Sequence, residues 1–209
     1  MALDLFDLGM CKGQLYEVIL TTWNEDGSRN AAPFGTIVKD ENTIVNKIFE
    51  GSKTLENIKR DGEFVVNITD NPLYFAYSTI DNIGEESYCD GSLVLKSVDA
   101  YFSADTDEIK SMVKEDDIRR VKMCYIRSSV SGVVVNDVGV KPVNRGIHCV
   151  IEALVNYSRV DKVDDETREY YFTRFRENNR VVRKVGSKED KLAMDFIIKN
   201  LEANGYLLY

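Results

Sequence analysis

The sequence predicts a mainly β (α+β) fold, an antiparallel barrel over residues 1–160 with a helical hairpin over residues 161–209 packed on it. Three observations carry that expectation. The first 70 residues read strand, strand, strand, helix, strand, which is not the alternation of a βαβ protein and suits an antiparallel barrel with a helix at its opening. The strand-like runs are rich in β-branched and aromatic residues and are separated by turn residues. After Val160 the chain becomes charged, and its apolar residues recur at helical spacing.

In order, Gln14–Trp23 is a strand and Asn24-Glu25-Asp26-Gly27-Ser28 a turn, making a hairpin whose return arm runs from Arg29 to Val38. Pro33 and Gly35 interrupt that arm. Proline donates nothing to a ladder and glycine admits a bulge or a close backbone approach, so Pro33–Thr36 is either an edge kink or a seat for something flat. Thr43–Phe49 is the third strand, and Glu63–Thr69 the fourth. Asn71-Pro72 opens a short aromatic helix, and Asp81–Asp90 is an acidic loop. Leu93–Phe102 returns to a β pattern, and Asp105–Lys114 reads as a short polar helix. Arg119–Val135 is a long strand or two bent at Ser131-Gly132, partnered by a strand over Ile147–Arg159 after a turn at Asn136–Pro142. Helices over Asp161–Lys184 and Lys188–Ala203 follow, the second capped by Ser187, with Leu192, Phe196, Ile197 and Leu201 expected inside.

Composition limits the function classes. The charge of −8, from 27 Lys+Arg against 35 Asp+Glu, argues against a nucleic-acid binder, whose affinity is built from clustered basic charge. No run approaches the roughly 20 apolar residues of a membrane span, and the acidic start is unlike a signal peptide, so a cytoplasmic protein is expected. The four cysteines form no C-x-x-C pair, and Cys149 beside the single histidine, His148, would point to the opposite face of a strand, so no metal site is expected.

The chemistry concentrates between Phe49 and Ile58. A strand reaches Gly51, and a helix then starts with Ser52 as cap and with Leu55 and Ile58 as its buried pair. Such a start leaves backbone N–H groups unpaired at the positive end of the helix dipole, where an anion fits. Lys53 adds charge, while Ser52, Thr54 and Asn57 add directed donors, a suitable set for a phosphate monoester. The same residues would also make an ordinary capped amphipathic helix. They do not make a P-loop, because Ser52 separates Gly51 from Lys53 and Asn46 stands where the first glycine belongs.

Taken together, Tyr16-Glu17-Val18-Ile19 with Thr21-Thr22, Asn30-Ala31-Ala32-Pro33-Phe34-Gly35, Phe49-Glu50-Gly51-Ser52-Lys53-Thr54-Leu55-Glu56-Asn57-Ile58, Val66–Pro72, and Asn144-Arg145-Gly146 running into Ile151-Glu152-Ala153 carry a resemblance. The chain resembles the FMN-binding split-barrel superfamily of flavin reductases and pyridoxamine-phosphate oxidases, and within it the archaeal-type DUF447 family. The resemblance implies FMN as cofactor. It implies that Ser52, Lys53, Thr54 and Asn57 hold the phosphate, with Phe49 at the same end. The backbone of Pro33, Phe34, Gly35 and Thr36 would then lie beside the isoalloxazine ring. It also implies a homodimer in which the second chain completes the pocket.

The reaction is less constrained. Flavin carries the hydride or electron chemistry itself, so the fold demands no general acid or base, and no G-x-S-x-G or G-x-G-x-x-G motif occurs. Cys124 is either a thiol facing the flavin or a core residue. The expectation is an FMN-dependent oxidoreductase acting on a small molecule. The alternative is a non-catalytic flavin or phospho-ligand binding protein serving as carrier, sensor or pathway accessory.

Overall fold

The computed structural model describes residues 3–10, 12–13, 15–81, 83–115, 120–136 and 145–206. Six antiparallel strands close a barrel: β1 (Leu15–Trp23), β2 (Arg29–Asp40), β3 (Thr43–Phe49), β4 (Glu63–Ile68), β5 (Ala100–Glu115) and β6 (Arg120–Val135), in the spatial order β1-β2-β3-β6-β5-β4. Alternation along each strand sends Val18, Leu20, Val38, Ile44, Ile48, Phe64, Val66, Phe102 and Ile126 into one core. Between β3 and β4, α1 (Lys53–Asp61) closes the barrel, adding Leu55 and Ile58 to that core. Each such burial is worth roughly 1.5–3 kcal/mol as an upper estimate. Gly51 and Gly62 bracket the helix at φ +82 and +75, the left-handed backbone its entry and exit require.

Two compact units are distinguished: Met1–Thr69 with Ile83–Val138, and Asp70–Asn82 with Gly139–Tyr209. The second holds α2 (Pro72–Ile80), α3 (Arg145–Tyr157), α4 (Asp165–Val185) and α5 (Lys188–Ala203). Its interior contains Val150, Ala153, Phe175, Val182, Met194 and Ile197. The ion pairs Arg174–Glu152 and Arg183–Asp195 tie α4 to α3 and α5, and Tyr77 meets Phe196 edge to face at 5.0 Å. Ser187 and Asp190 form a reciprocal capping box at the start of α5.

Four sequence expectations are corrected. Ile147–Arg159 is not a strand but belongs mostly to α3. Its many β-branched residues suggest a strand, yet the buried Gly146, Val150, Ala153 and Leu154 recur at helical spacing. His148 is therefore exposed on a helix, with Cys149 about 100° around the axis rather than on an opposite face. Asp105–Lys114 is not a helix but the outer part of β5, paired with β6 from Asp105↔Ser129 to Lys114↔Val121. This ribbon buries little, so it carries no apolar alternation to mark it as strand. Leu93–Asp99 is a covering segment before β5, in which the Leu93 carbonyl accepts from Thr21 Oγ1 at 2.6 Å and Leu95 N–H donates to Asn67 Oδ1 at 2.9 Å. Leu192 is exposed, and Ala193 and Met194 fill the inner face of α5 instead.

Arg120–Val135 is one strand, in which Gly132 (φ +61) absorbs a register shift opposite Tyr101 and Ser103. Residue 119 and the turn expected at Asn136–Pro142 beyond Asn136 lie outside the described residues. Among the described residues no helix is long and apolar enough to cross a membrane, and no group of three or more His, Cys, Asp or Glu is placed to hold a metal.

Candidate functional site

The barrel opens between β2 and β3. β1 pairs with β2 along its whole length, from Leu15↔Ile37 to Trp23↔Arg29, whereas β2 meets β3 only from Asp40↔Thr43 to Thr36↔Asn46. Beyond that point Pro33-Phe34-Gly35 stays with β1, while Lys47-Ile48-Phe49 continues along β6. The result is a fork. Its β3 arm leads through Gly51 into the start of α1, so the candidate ring seat and the candidate anion site belong to one continuous stretch of chain.

At that start Ser52 Oγ accepts from Leu55 N–H at 3.3 Å, and its carbonyl accepts from Glu56 N–H at 3.1 Å. The N–H groups of Lys53 and Thr54 are among those a helix cannot pair internally. Lys53 is exposed, and the turn between β1 and β2 approaches it: the Asp26 carboxyl is held below its ordinary range chiefly by hydrogen bonds from Ser28, with the Lys53 charge acting in the same direction. Lys59 and Arg60 in the last turn complement the other end of the dipole.

Thr54 and Asn57 occupy different positions from Lys53. They are 1% and 3% exposed and face the barrel. Thr54 Oγ1 accepts from Asn30 Nδ2 at 3.0 Å. Asn57 spends its amide donors on Thr22 Oγ1 and Asn24 Oδ1, both at 2.9 Å, and its oxygen accepts from Arg60 Nη1 at 3.2 Å. Asn30 also donates to Thr22 Oγ1 at 3.1 Å. Arg60 in turn binds Asp61 through two nitrogens and the Trp23 carbonyl at 2.6 Å, and this guanidinium holds the Asp61 carboxyl below its usual range. These side chains brace α1 against the β1–β2 hairpin. Of the same turn, Ser52 is half-buried and Lys53 exposed.

On the fork, Pro33, Phe34 and Gly35 are half-buried, Phe34 packing against the barrel core. Thr36 is fully buried and points inward, so it would meet a ligand only through its backbone. Phe49 is 51% exposed at the end of β3, beside Met123 on β6 and then Met112 on β5, itself 40% exposed. Cys124 faces the barrel interior, 3.7 Å from Ser111 Oγ, as a core thiol. Cavities of about 190 and 210 Å³ lie against Trp23 and Phe64 and against Glu50, Met112 and Lys122.

Thr22, Asn24, Asn30 and Asn46 escaped the sequence reading as site residues. A signal existed, since Thr22, Asn30 and Asn46 are polar at positions where inward alternation calls for apolar ones.

A split antiparallel barrel closed by a capped helix, with a second unit of four helices, defines the class. The chain belongs to the DUF447 family of proteins of unknown function: the family's N-terminal domain matches residues 16–129 and its C-terminal domain residues 144–199. It is 26% identical over 190 residues to the uncharacterized protein MJ1453 of Methanocaldococcus jannaschii, covering 88% of this chain and 97% of that protein. Its structure is similar to that of the FMN-bound protein MM1853 from Methanosarcina mazei, also of DUF447, with a TM-score of 0.73, 26% identity, and coverage of 94% of this chain and 99% of that one.

Proposed function

We propose that this protein binds FMN in the β2–β3 fork and works as a cytoplasmic FMN-dependent oxidoreductase on a small molecule. The observation that carries the reading is the junction of the fork with the start of α1. There Lys53, Ser52 Oγ and unpaired helix amides offer only donors to a phosphate, next to strand arms that no longer pair with each other. The donor set fits a phosphate monoester. A relative of the same family that is FMN-bound, similar over nearly the whole chain, supports the same ligand.

FMN would supply hydride and electron transfer, while the protein positions it and controls access. Lys53 and Ser52 would hold the phosphate, and the backbone of Pro33–Thr36 would line the ring. A second copy would complete the site. The cavities of about 190 and 210 Å³ are smaller than the roughly 300–1,000 Å³ of a usual small-molecule site, which suits a site that a second copy completes. Phe49 and Met112, exposed on either side of the buried Met123, offer apolar surface such a partner would cover.

The deciding experiment is the absorbance spectrum of freshly purified protein, with mass spectrometry of what heat releases, then anaerobic mixing with NADH, NADPH and reduced deazaflavin. FMN release with bleaching by one donor is expected. Bound FMN that no donor reduces would replace the oxidoreductase with a flavin carrier or sensor. Colourless protein that takes up no added FMN would end both readings. Sedimentation of wild type beside Phe49→Glu with Met112→Glu tests the pairing, a dimer and a monomer being the expected pair of results.

A further inference from the structure

The inward face of β3 reads Ile44, Asn46, Ile48, with Ile126 opposite Asn46 on β6. Asn46 is fully buried among these residues. A primary amide in such surroundings is costly unless all its hydrogen bonds are made, and here one is not. Asn46 Nδ2 donates to Thr36 Oγ1 at 2.7 Å and to the Gly35 carbonyl at 3.2 Å, while Oδ1 is buried without a partner among the described residues. An isosteric leucine would complete the apolar face of β3 and remove that oxygen, and its cost would be the two donations to Thr36 Oγ1 and the Gly35 carbonyl.

The position of this departure matters. Thr36↔Asn46 is the last rung of the β2–β3 ladder before the strands separate. Both Asn46 donors reach across to β2 at the branch point, gripping the two residues where the Pro33–Gly35 arm begins. Side chains that break the local packing rule without a stability gain are characteristic of functional positions.

We propose that Asn46 is a positioning residue for the flat ring of the ligand: it sets where β2 leaves β3 and so fixes the seat of the isoalloxazine. This rests on the FMN reading above. Asn46 touches no ligand in this assignment; it acts through Gly35 and Thr36. The phosphate end, held from α1, is independent of it.

The test compares the flavin-free wild type with Asn46→Leu, using thermal melting together with titration by FMN and by riboflavin, which lacks the phosphate. The expected result is a folded apo-protein that melts within a few degrees of wild type, the apolar gain at β3 offsetting the donations lost to Thr36 and Gly35. Affinities for FMN and riboflavin both fall about tenfold or more by a common factor, leaving their ratio unchanged. A variant that does not fold overturns the proposal, because Asn46 is then a structural necessity. Unchanged affinity for both flavins also overturns it. Wild-type protein that binds neither flavin overturns the FMN reading and this inference together, whereas normal wild-type binding with an unaffected variant overturns this inference alone.

Discussion

Asn57 on α1 donates to Thr22 Oγ1 at the end of β1 across 2.9 Å, and with this bond a residue from the middle of the phosphate-like motif becomes part of the barrel's closure. The same amide reaches Asn24 in the hairpin turn. A sequence motif that resembles a ligand site is thus divided in three dimensions: its first residues face outward, and Thr54 and Asn57 hold the helix in place.

Asn57→Ala should destabilise the barrel unit, since Thr22 and Asn24 lose a donor and the Arg60 side chain loses an acceptor in a buried network. The expected loss is about 1–3 kcal/mol, read as a lower denaturant midpoint at unchanged slope. Combining it with Thr54→Ala should add less than the sum of the separate losses, because both belong to one network through Asn30 and Thr22. Wild-type stability in Asn57→Ala would mean that the bracing is of no consequence.

Lys53→Ala should behave in the opposite way. The side chain is exposed, so melting should change little. FMN affinity should fall by roughly 10–100-fold, the effect of one hydrogen bond to a charged group, and more steeply at low salt than at high salt. Riboflavin affinity should not move. Equal losses for the two flavins would place the phosphate elsewhere.

Gly146→Ala should disturb the helical unit. A Cβ there would stand 2.1 Å from Asp190 Oδ2 and 2.8 Å from the Gly186 Cα, so the start of α3 and the turn between α4 and α5 could not keep their approach. A loss of about 1–3 kcal/mol is expected from overpacking, measurable by thermal melting. Retained stability would show that Asp190 swings aside without loss of its cap.

Acid should weaken α4 through its cap. Asp164 accepts from the Thr167 N–H at 2.8 Å, and that bond, with the Thr167 hydroxyl, holds its carboxyl below the usual aspartate range. A lowered folded pKa means stability that is present above the unfolded value and lost as pH falls through the folded one. Asp164→Asn keeps a capping oxygen without the charge. The difference in melting temperature between wild type and variant should therefore shrink as pH drops from 5 towards 2.5. A constant difference over that range would remove the carboxylate from the account.

The sequence by itself determined the barrel's first four strands, the capped α1 and the helices α4 and α5. In each, local chemistry and burial agree: Ser52 caps a helix whose Leu55 and Ile58 are buried, and Val18 and Leu20 reach the core from a strand rich in β-branched and aromatic residues. Only the tertiary structure decided the rest. The outer part of β5 is a strand because β6 lies beside it, a long-range pairing that leaves little burial pattern in the sequence. The segment that became α3 holds β-branched residues in a helix because Val150, Ala153 and Leu154 have other helices to pack against. The direction of a hydrogen bond is likewise invisible in one dimension. Lys53 and Asn57 sit four residues apart in one motif, yet partners more than 30 residues away, Thr22 and Asn24, draw one inward and leave the other to solvent.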